Sequence, residues 1–164
     1  MVFRTGKALI GMIHVPALPG APRCSMDIEE ISRFVLADSA ALAEGGVDGL
    51  IIENFGDVPF FATRVPAHTI AFLSRLAFDI KTRVPLPLGI NVLRNDGMAA
   101  IAIATAVGAE FVRINVYTGA RLADQGILQG EAHDIARYRR ALGAATQICA
   151  DVAVKHSAAL GEGL

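Results

Sequence analysis

Side chains that can transfer protons or bind charge recur in this sequence at the ends of apolar runs. The residues best suited to react are His14, Glu53, Asp151 and Lys155. Carboxylates and histidine donate and accept protons, and a lysine shielded from water can act as a base or a covalent partner. We therefore predict that these four residues are catalytic.

A second group of side chains is suited to binding a substrate. Its members are Asn54, Asn91, Arg113, Asn115 and His156. A guanidinium can hold an anion through paired hydrogen bonds, and amides can orient polar groups. Two plainer interpretations stay open. Glu53 and Arg113 would form a structural ion pair across neighbouring strands, and His14 would be a hydrogen-bonded core histidine.

We predict no cofactor. Carboxylates and histidines could hold a divalent metal, but the sequence has no HxH or HExxH spacing to support such a site. The first apolar run is also not followed by the GxGxxG pattern of dinucleotide-binding proteins.

Apolar, β-rich runs alternate with longer helical patterns along the chain. The predicted strands are Ala8–Val15, Leu50–Asn54, Leu88–Leu93, Phe111–Tyr117 and Gln147–His156. The predicted helices are Ile28–Glu44, Pro66–Thr82, Gly97–Val107 and Glu131–Leu142. Capping residues such as Asp27 and stop signals such as Gly108 support the helix ends. This alternation predicts βαβ units and a parallel sheet.

Five such units favour a parallel (β/α)8 barrel of the TIM type that is incomplete in this chain. A full barrel usually needs about 250 residues, and this chain has 164. We therefore expect one domain over residues 1–164 that is truncated at its carboxyl end. A five-stranded flavodoxin-like sheet is the alternative, and it would suit the length without truncation.

In a barrel, the polar residues that end the strands would share one rim. Because side chains alternate along a strand, Arg113, Asn115 and Tyr117 are predicted to share one face of the fourth strand. Asp151 and Lys155 are predicted to share one face of the fifth. The segment from 118 to 130 is predicted to be a long loop, which is either a lid or a simple surface excursion.

The composition fits a buried parallel sheet. Hydrophobic residues make up 53% of the chain and the mean hydropathy is +0.47, which strands covered on both faces would explain. The longest apolar run, residues 98 to 109, is too short to cross a bilayer. We therefore predict no transmembrane segment, and we find no secretion signal in the first residues.

Charge and cysteine content narrow the partners and the location. The net charge is −1 without a basic stripe, which argues against nucleic acid. The two cysteines lie far apart without CxxC spacing, so free thiols and a cytoplasmic location are expected. Peripheral membrane association would depend on the arginines between 137 and 140. An unclosed sheet would expose a strand edge, so an oligomer is expected.

Six strings of the sequence are distinctive in combination: GMIHVPALPG at 11–20, DGLIIENFGDVPF at 48–60, GINVLRND at 89–96, FVRINV at 111–116, DQG at 124–126 and ADVAVKH at 150–156. Together they resemble the BtpA/SgcQ family, which is linked by name to photosystem I biogenesis. The resemblance implies a barrel of the ribulose-phosphate-binding type whose other members continue past the fifth strand. It also implies a role in stabilising photosystem I. The phosphate site that such barrels build after strands seven and eight would be missing here.

Three functional hypotheses remain open, and the sequence does not settle whether the protein is an enzyme. The first is an enzyme or binder of a small phosphorylated or sugar-like metabolite at the strand rim, with Arg113 as the anion clamp. The second is a biogenesis factor for a membrane complex that acts through protein contacts. The third is a non-functional gene fragment.

Overall fold

The strands form two separate sheets. In the computed structural model, which describes residues 2–3 and 6–160, the strands are β1 (Ile10–His14), β2 (Gly49–Glu53), β3 (Leu88–Asn91), β4 (Phe111–Ile114), β5 (Ala120–Ala123), β6 (Gly126–Gln129), β7 (Gln147–Ala150) and β8 (Ala158–Ala159). The first sheet is parallel, in the order β1-β2-β3-β4-β7. The second is antiparallel, in the order β6-β5-β8. The five parallel strands therefore follow one another across the sheet in chain order. A flavodoxin-like sheet would have the order 2-1-3-4-5, so that alternative is wrong.

The predicted helices are confirmed with small shifts at their ends. They are α1 (Ile28–Glu44), α2 (Ala67–Arg83), α3 (Gly97–Val107) and α4 (Ala132–Ala141). Asp27 and Glu30 form the capping box that begins α1, because each side chain accepts the backbone N–H of the other residue. Asp96 caps α3 by accepting the N–H of Ala99 at 2.9 Å. Gly108 ends that helix in the left-handed conformation, with φ of 73°.

One face of the parallel sheet carries the hydrophobic core. Its buried strand residues are Ile13, Leu50, Ile52, Leu88, Ile90, Val112 and Ile114. They pack in one cluster with residues from all four helices, such as Val35, Leu73, Ile101 and Ile135. The helices contact one another in chain order, α1 with α2, α2 with α3, and α3 with α4.

The opposite face of the sheet is separate from this core. Ile51 and Phe111 lie on it and are buried, yet neither belongs to the core cluster. The Phe111 ring covers Gly89, where an added Cβ would lie 2.2 Å from the ring. The ring of Phe3 meets Phe111 edge-on, with centroids 5.6 Å apart. Aromatic rings therefore fill this face below the strand ends.

The fourth and fifth strands of the parallel sheet are shorter than predicted. The fourth ends at Ile114 because the Asn95 side chain takes the backbone groups of Val116, accepting its N–H at 2.8 Å and donating to its carbonyl at 2.9 Å. The fifth ends at Ala150. Tyr117 accordingly packs against the helix-side core instead of following Arg113.

The predicted loop at 118–130 is wrong, because this segment forms the β5–β6 hairpin. Asp124 and Gln125 make its two-residue turn, and Gly126 follows with φ of 95°. Leu128 is buried against Val116 and Val154. Neither strand alternates strictly between apolar and polar residues, so the period-2 signal of a half-buried strand is missing here.

None of the helices in the described part of the chain is long and apolar enough to cross a membrane.

Candidate functional site

The strand register brings four predicted site residues into one row. His14 is the register partner of Glu53, Glu53 of Asn91, and Asn91 of Arg113. Register partners in a parallel sheet present their side chains to the same face. This row lies on the face opposite the helices. It is two residues closer to the carboxyl ends of the strands than the row that contains Phe111.

A hollow of about 800 Å³ opens over this row at the carboxyl ends of the strands. Its polar lining includes His14, Glu53, Arg94, Arg113, Asn115, Asp151, Lys155 and His156. Its apolar wall includes Phe55, Val58 and Phe60 from the loop after β2. A concave site with a mixed lining of this size suits a small molecule.

Arg113 is held by two carboxylates. Its Nε and Nη2 donate to the two Asp151 oxygens at 2.8 and 2.9 Å, and its Nη1 lies 3.5 Å from Glu53 Oε2. The paired hydrogen bonds with Asp151 raise the pKa of Arg113. All three guanidinium nitrogens therefore have carboxylate partners.

Glu53 is 5% exposed and faces this hollow. Burial raises the pKa of the Glu53 carboxyl above its ordinary value, although Arg113, His14 and Arg94 lower it in part. His14 Nε2 lies 3.7 Å from Glu53 Oε1. The His14 ring is half-exposed and stacks on Phe55, with centroids 4.3 Å apart. The pair thus places a carboxyl with a raised pKa beside an imidazole that reaches solvent.

Two asparagines connect the row to Asp151. Asn115 donates to Asp151 Oδ2 at 3.1 Å and lines the hollow. Asn91 donates to Asn115 Oδ1 at 3.2 Å and to the Arg113 carbonyl at 3.0 Å. Asn91 is 1% exposed, and its Oδ1 is buried without a hydrogen-bond partner in the described part of the chain. Asn91 therefore lies beneath the site and holds Asn115 in place.

Asn54 was predicted to bind substrate, but it is buried and fastens one loop to another. Its Oδ1 accepts the N–H of Leu93 at 2.7 Å, and its amide donates to Asp57 Oδ2 at 3.1 Å. Asp57 Oδ1 in turn accepts the N–H of Leu18 at 2.8 Å. This chain of bonds ties together the loops after β1, β2 and β3.

Two other residues of the loop after β2, Gly56 and Asp57, are also constrained by their surroundings. Burial raises the pKa of the Asp57 carboxyl. At Gly56, an added Cβ would lie 2.2 Å from the backbone nitrogen of Ala17, so only glycine fits there. The loops after β1 and β2 therefore pack backbone against backbone.

The segment after β7 supplies the other side of the hollow. Asp151 and Lys155 were predicted to share a strand face, which is wrong because β7 ends at Ala150. Lys155 and His156 instead lie exposed at the mouth, beyond the buried Val154. Arg94, which was not among the predicted site residues, also lines the hollow, and its Nη2 donates to the Lys155 carbonyl at 3.0 Å.

Within residues 2–3 and 6–160, no three His, Cys, Asp or Glu side chains are grouped closely enough to hold a metal ion. Of the acidic and imidazole groups of the hollow, Glu53 and Asp151 pair with Arg113, and His14 lies beside Glu53.

A helix-backed parallel sheet with a polar hollow at its strand ends defines an α/β protein with a ligand-sized site. The chain belongs to the BtpA family, whose profile matches residues 5–164.

Its relatives come from distant organisms. The chain is 43% identical over 159 residues to the photosystem I biogenesis protein BtpA of Synechocystis, covering 97% of this chain and 55% of that protein. It is 45% identical over 158 residues to an uncharacterized protein of Thermococcus kodakarensis, covering 95% and 59%. It is 35% identical over 157 residues to an uncharacterized, mitochondrial protein of Caenorhabditis elegans, covering 92% and 56%. The chain thus spans little more than half the length of these relatives.

Proposed function

We propose that this chain binds a small polar metabolite in the hollow and that Glu53, together with His14, exchanges protons with it. The observation that carries this proposal is a 5%-exposed carboxylate facing an open hollow of about 800 Å³. Burying such a group costs stability, and carboxyl groups with a raised pKa cluster at functional sites.

The chemistry follows from the two environments. Burial moves the pKa of Glu53 upward, toward neutral pH. A general acid or base is most effective when its pKa lies near the pH at which it works. His14 is half-exposed and 3.7 Å from Glu53, so it can pass protons between the carboxyl and solvent. In this proposal Arg113, Asp151 and Asn115 position Glu53 and shape the floor of the hollow.

We further propose that the fold is part of a parallel (β/α) barrel. The sequential strand order and the helices packed against one face support this, because a barrel requires both. The hollow would then be the mouth of the barrel, where such folds place their chemistry.

The proposal is tested by a screen of small metabolites for an increase in the melting temperature, followed by an NMR assay for conversion of each compound that binds. The variants are Glu53→Gln and, as a control, Glu29→Gln, which removes an exposed carboxylate paired with Arg75 on the helix side. We expect Glu53→Gln to retain binding and lose at least about 100-fold in conversion. Glu29→Gln should behave like the unaltered chain. Binding by no compound, or conversion that survives Glu53→Gln, would contradict the proposal.

A second candidate is a role in photosystem I biogenesis through protein contacts. The name of the Synechocystis relative suggests it, and Leu122 and Ile127 give it a physical basis. They are partners in the β5–β6 hairpin and are 49% and 60% exposed. The relatives from an archaeon and a nematode favour the metabolite function as the property common to the family.

The two candidates predict different losses in Synechocystis cells that lack their own BtpA and express this chain. If protein contacts matter, the Leu122→Ser/Ile127→Ser chain fails to restore photosystem I, while the Glu53→Gln chain succeeds. If the metabolite site matters, the results are reversed. Leu142→Ser, at an apolar residue of similar exposure beside α4, is the matched control.

A further inference from the structure

The charged residues of the hollow are unevenly paired. Its carboxylates are Glu53, Asp124 and Asp151, and its arginine and lysine residues are Arg94, Arg113 and Lys155. Arg113 is occupied by Glu53 and Asp151. Among the carboxylates that the structure describes, none lies within ion-pair distance of Arg94 or Lys155. Within the described residues, Arg94 and Lys155 are therefore cations of the hollow without an ion-pair partner, and Asp124 is its carboxylate without one.

Arg94 is presented to the hollow by a fixed backbone. Its own N–H donates to the Phe61 carbonyl at 3.2 Å. The preceding residue, Leu93, is fastened by Asn54, and the following one, Asn95, by Val116. The guanidinium makes one hydrogen bond within the described part of the chain, to the Lys155 carbonyl. Its other N–H groups are available to a ligand.

Lys155 is presented in a similar way between two anchored residues. Val154, before it, is 6% exposed and packs against Val116 and Leu128. Ser157, after it, donates to the Val154 carbonyl at 2.8 Å and accepts from Arg121 Nε at 2.6 Å. Lys155 is thus carried on an anchored turn, and its backbone carbonyl accepts a hydrogen bond from the guanidinium of Arg94.

We propose that Arg94 and Lys155 form an anion-binding subsite that takes the phosphate or carboxylate end of a small metabolite. This extends the proposed function, because the other end of the same molecule would reach Glu53. Arg113 was predicted from the sequence to be the anion clamp. An anion there would have to displace Asp151 or Glu53 from a guanidinium whose nitrogens are already bonded, whereas Arg94 and Lys155 have donors to spare.

The opposing charge of Asp124 makes a further distinction. It lies in the hairpin turn and lines the same hollow. A cationic ligand would be attracted to Asp124 and repelled by Arg94 and Lys155, and an anion would experience the reverse. Replacing Asp124 by asparagine should therefore strengthen anion binding.

The test follows the arginine Nε–Hε signals of the chain by NMR during titration with inorganic phosphate and, separately, with acetate at constant ionic strength. We expect the Arg94 signal to shift and saturate with at least one of the two anions, while the Arg113 signal stays in place. Tighter binding of phosphate would indicate a phosphate ester as the natural ligand, and tighter binding of acetate a carboxylate.

The variants separate the subsite from the rest of the hollow. Arg94→Gln should weaken binding of the anion about tenfold or more and Lys155→Gln about three- to tenfold, while Asp124→Asn should strengthen it. Arg33→Gln, an exposed arginine of α1, is the control and should change nothing. A shift of Arg113 instead of Arg94, or saturation with neither anion, would overturn the subsite.

The subsite and the proposed function fail separately. Phosphate binding at Arg94 should survive Glu53→Gln, because the substitution leaves Arg94 and Lys155 in place and removes a negative charge from the hollow. Saturation at Arg94 combined with a failed metabolite screen would contradict only the acid–base proposal. Metabolite conversion without any anion effect at Arg94 would contradict only the subsite.

Discussion

The two faces of the parallel sheet are built from alternate residues of the same strands and differ in almost every property. On the helix side, Ile52 and Ile90 are fully buried in an apolar cluster. On the other side, their chain neighbours Glu53 and Asn91 are nearly as buried but carry polar groups. Apolar burial stabilises a fold directly, whereas a buried carboxyl or amide does so only when it is bonded. The polar face is therefore expected to contribute less to stability than the helix side. Functional sites commonly have such a cost in stability.

The largest expected effect is on the free energy of unfolding, and it distinguishes two adjacent residues of β2. Ile52→Ala removes a fully buried side chain from the core cluster and should cost about 2–5 kcal/mol in free energy of unfolding. Glu53→Gln keeps the shape of the side chain and removes a buried charge, so it should leave stability unchanged or higher at neutral pH. Urea unfolding measures both. A Glu53→Gln chain that loses as much as Ile52→Ala would mean that Glu53 holds the fold together.

The next effect concerns the aromatic rings that lie on the polar face below the site. Gly89→Ala would place a Cβ 2.2 Å from the Phe111 ring, and the displaced ring should cost about 1–3 kcal/mol. Gly6→Ala is the control, because nothing lies within 4 Å of a Cβ there. Equal melting temperatures for the two variants would show that the aromatic floor adapts freely.

A comparable effect is expected where the loops are tied together. Asn54→Ala leaves the Leu93 N–H without its acceptor and should cost about 1–3 kcal/mol. Faster hydrogen exchange at the Leu93 amide would report the same loss locally. Thr82→Ala, which removes a hydroxyl that donates to carbonyls of its own helix, should stay close to the unaltered chain. If Asn54→Ala instead preserved stability and abolished metabolite binding, the sequence-based role of Asn54 would be correct.

The smallest effect is a pH dependence. Burial raises the pKa of Glu53 in the folded chain above the ordinary value of 4.5. A raised carboxyl pKa stabilises the fold below the unfolded-state pKa, and this contribution is lost as pH rises through the folded-state pKa. The glutamine variant has no such loss. Its melting temperature relative to the unaltered chain should therefore increase as the pH is raised above 4.5, and a constant difference would contradict the raised pKa.

The sequence predicted the helices well because their signals are local. The Asp27 capping box, the Asp96 cap and the Gly108 stop each depend on residues within a few positions. The end of the fourth strand was not predicted correctly. This strand stops because Asn95 hydrogen-bonds to the backbone of Val116, which is 21 residues away in the sequence. No pattern within the strand could indicate that contact.

The candidate site was predicted in part for the same reason. Alternation and strand order were enough to bring His14, Glu53 and Arg113 to one face. They could not show that Asn54 turns toward a neighbouring loop, or that Asp151 occupies the guanidinium of Arg113. These outcomes depend on loop paths and on competition between partners.

The most direct test maps backbone amide shifts of the chain while a metabolite from the screen is added. We expect the largest changes on the hollow side, at Leu93, Asn115 and Ala153, which line it. We expect none in the surface groove beside α4 at Ala136 and Gly143. Shifts confined to that groove or to the helix side, or none with any metabolite, would contradict a binding site on the polar face of the sheet.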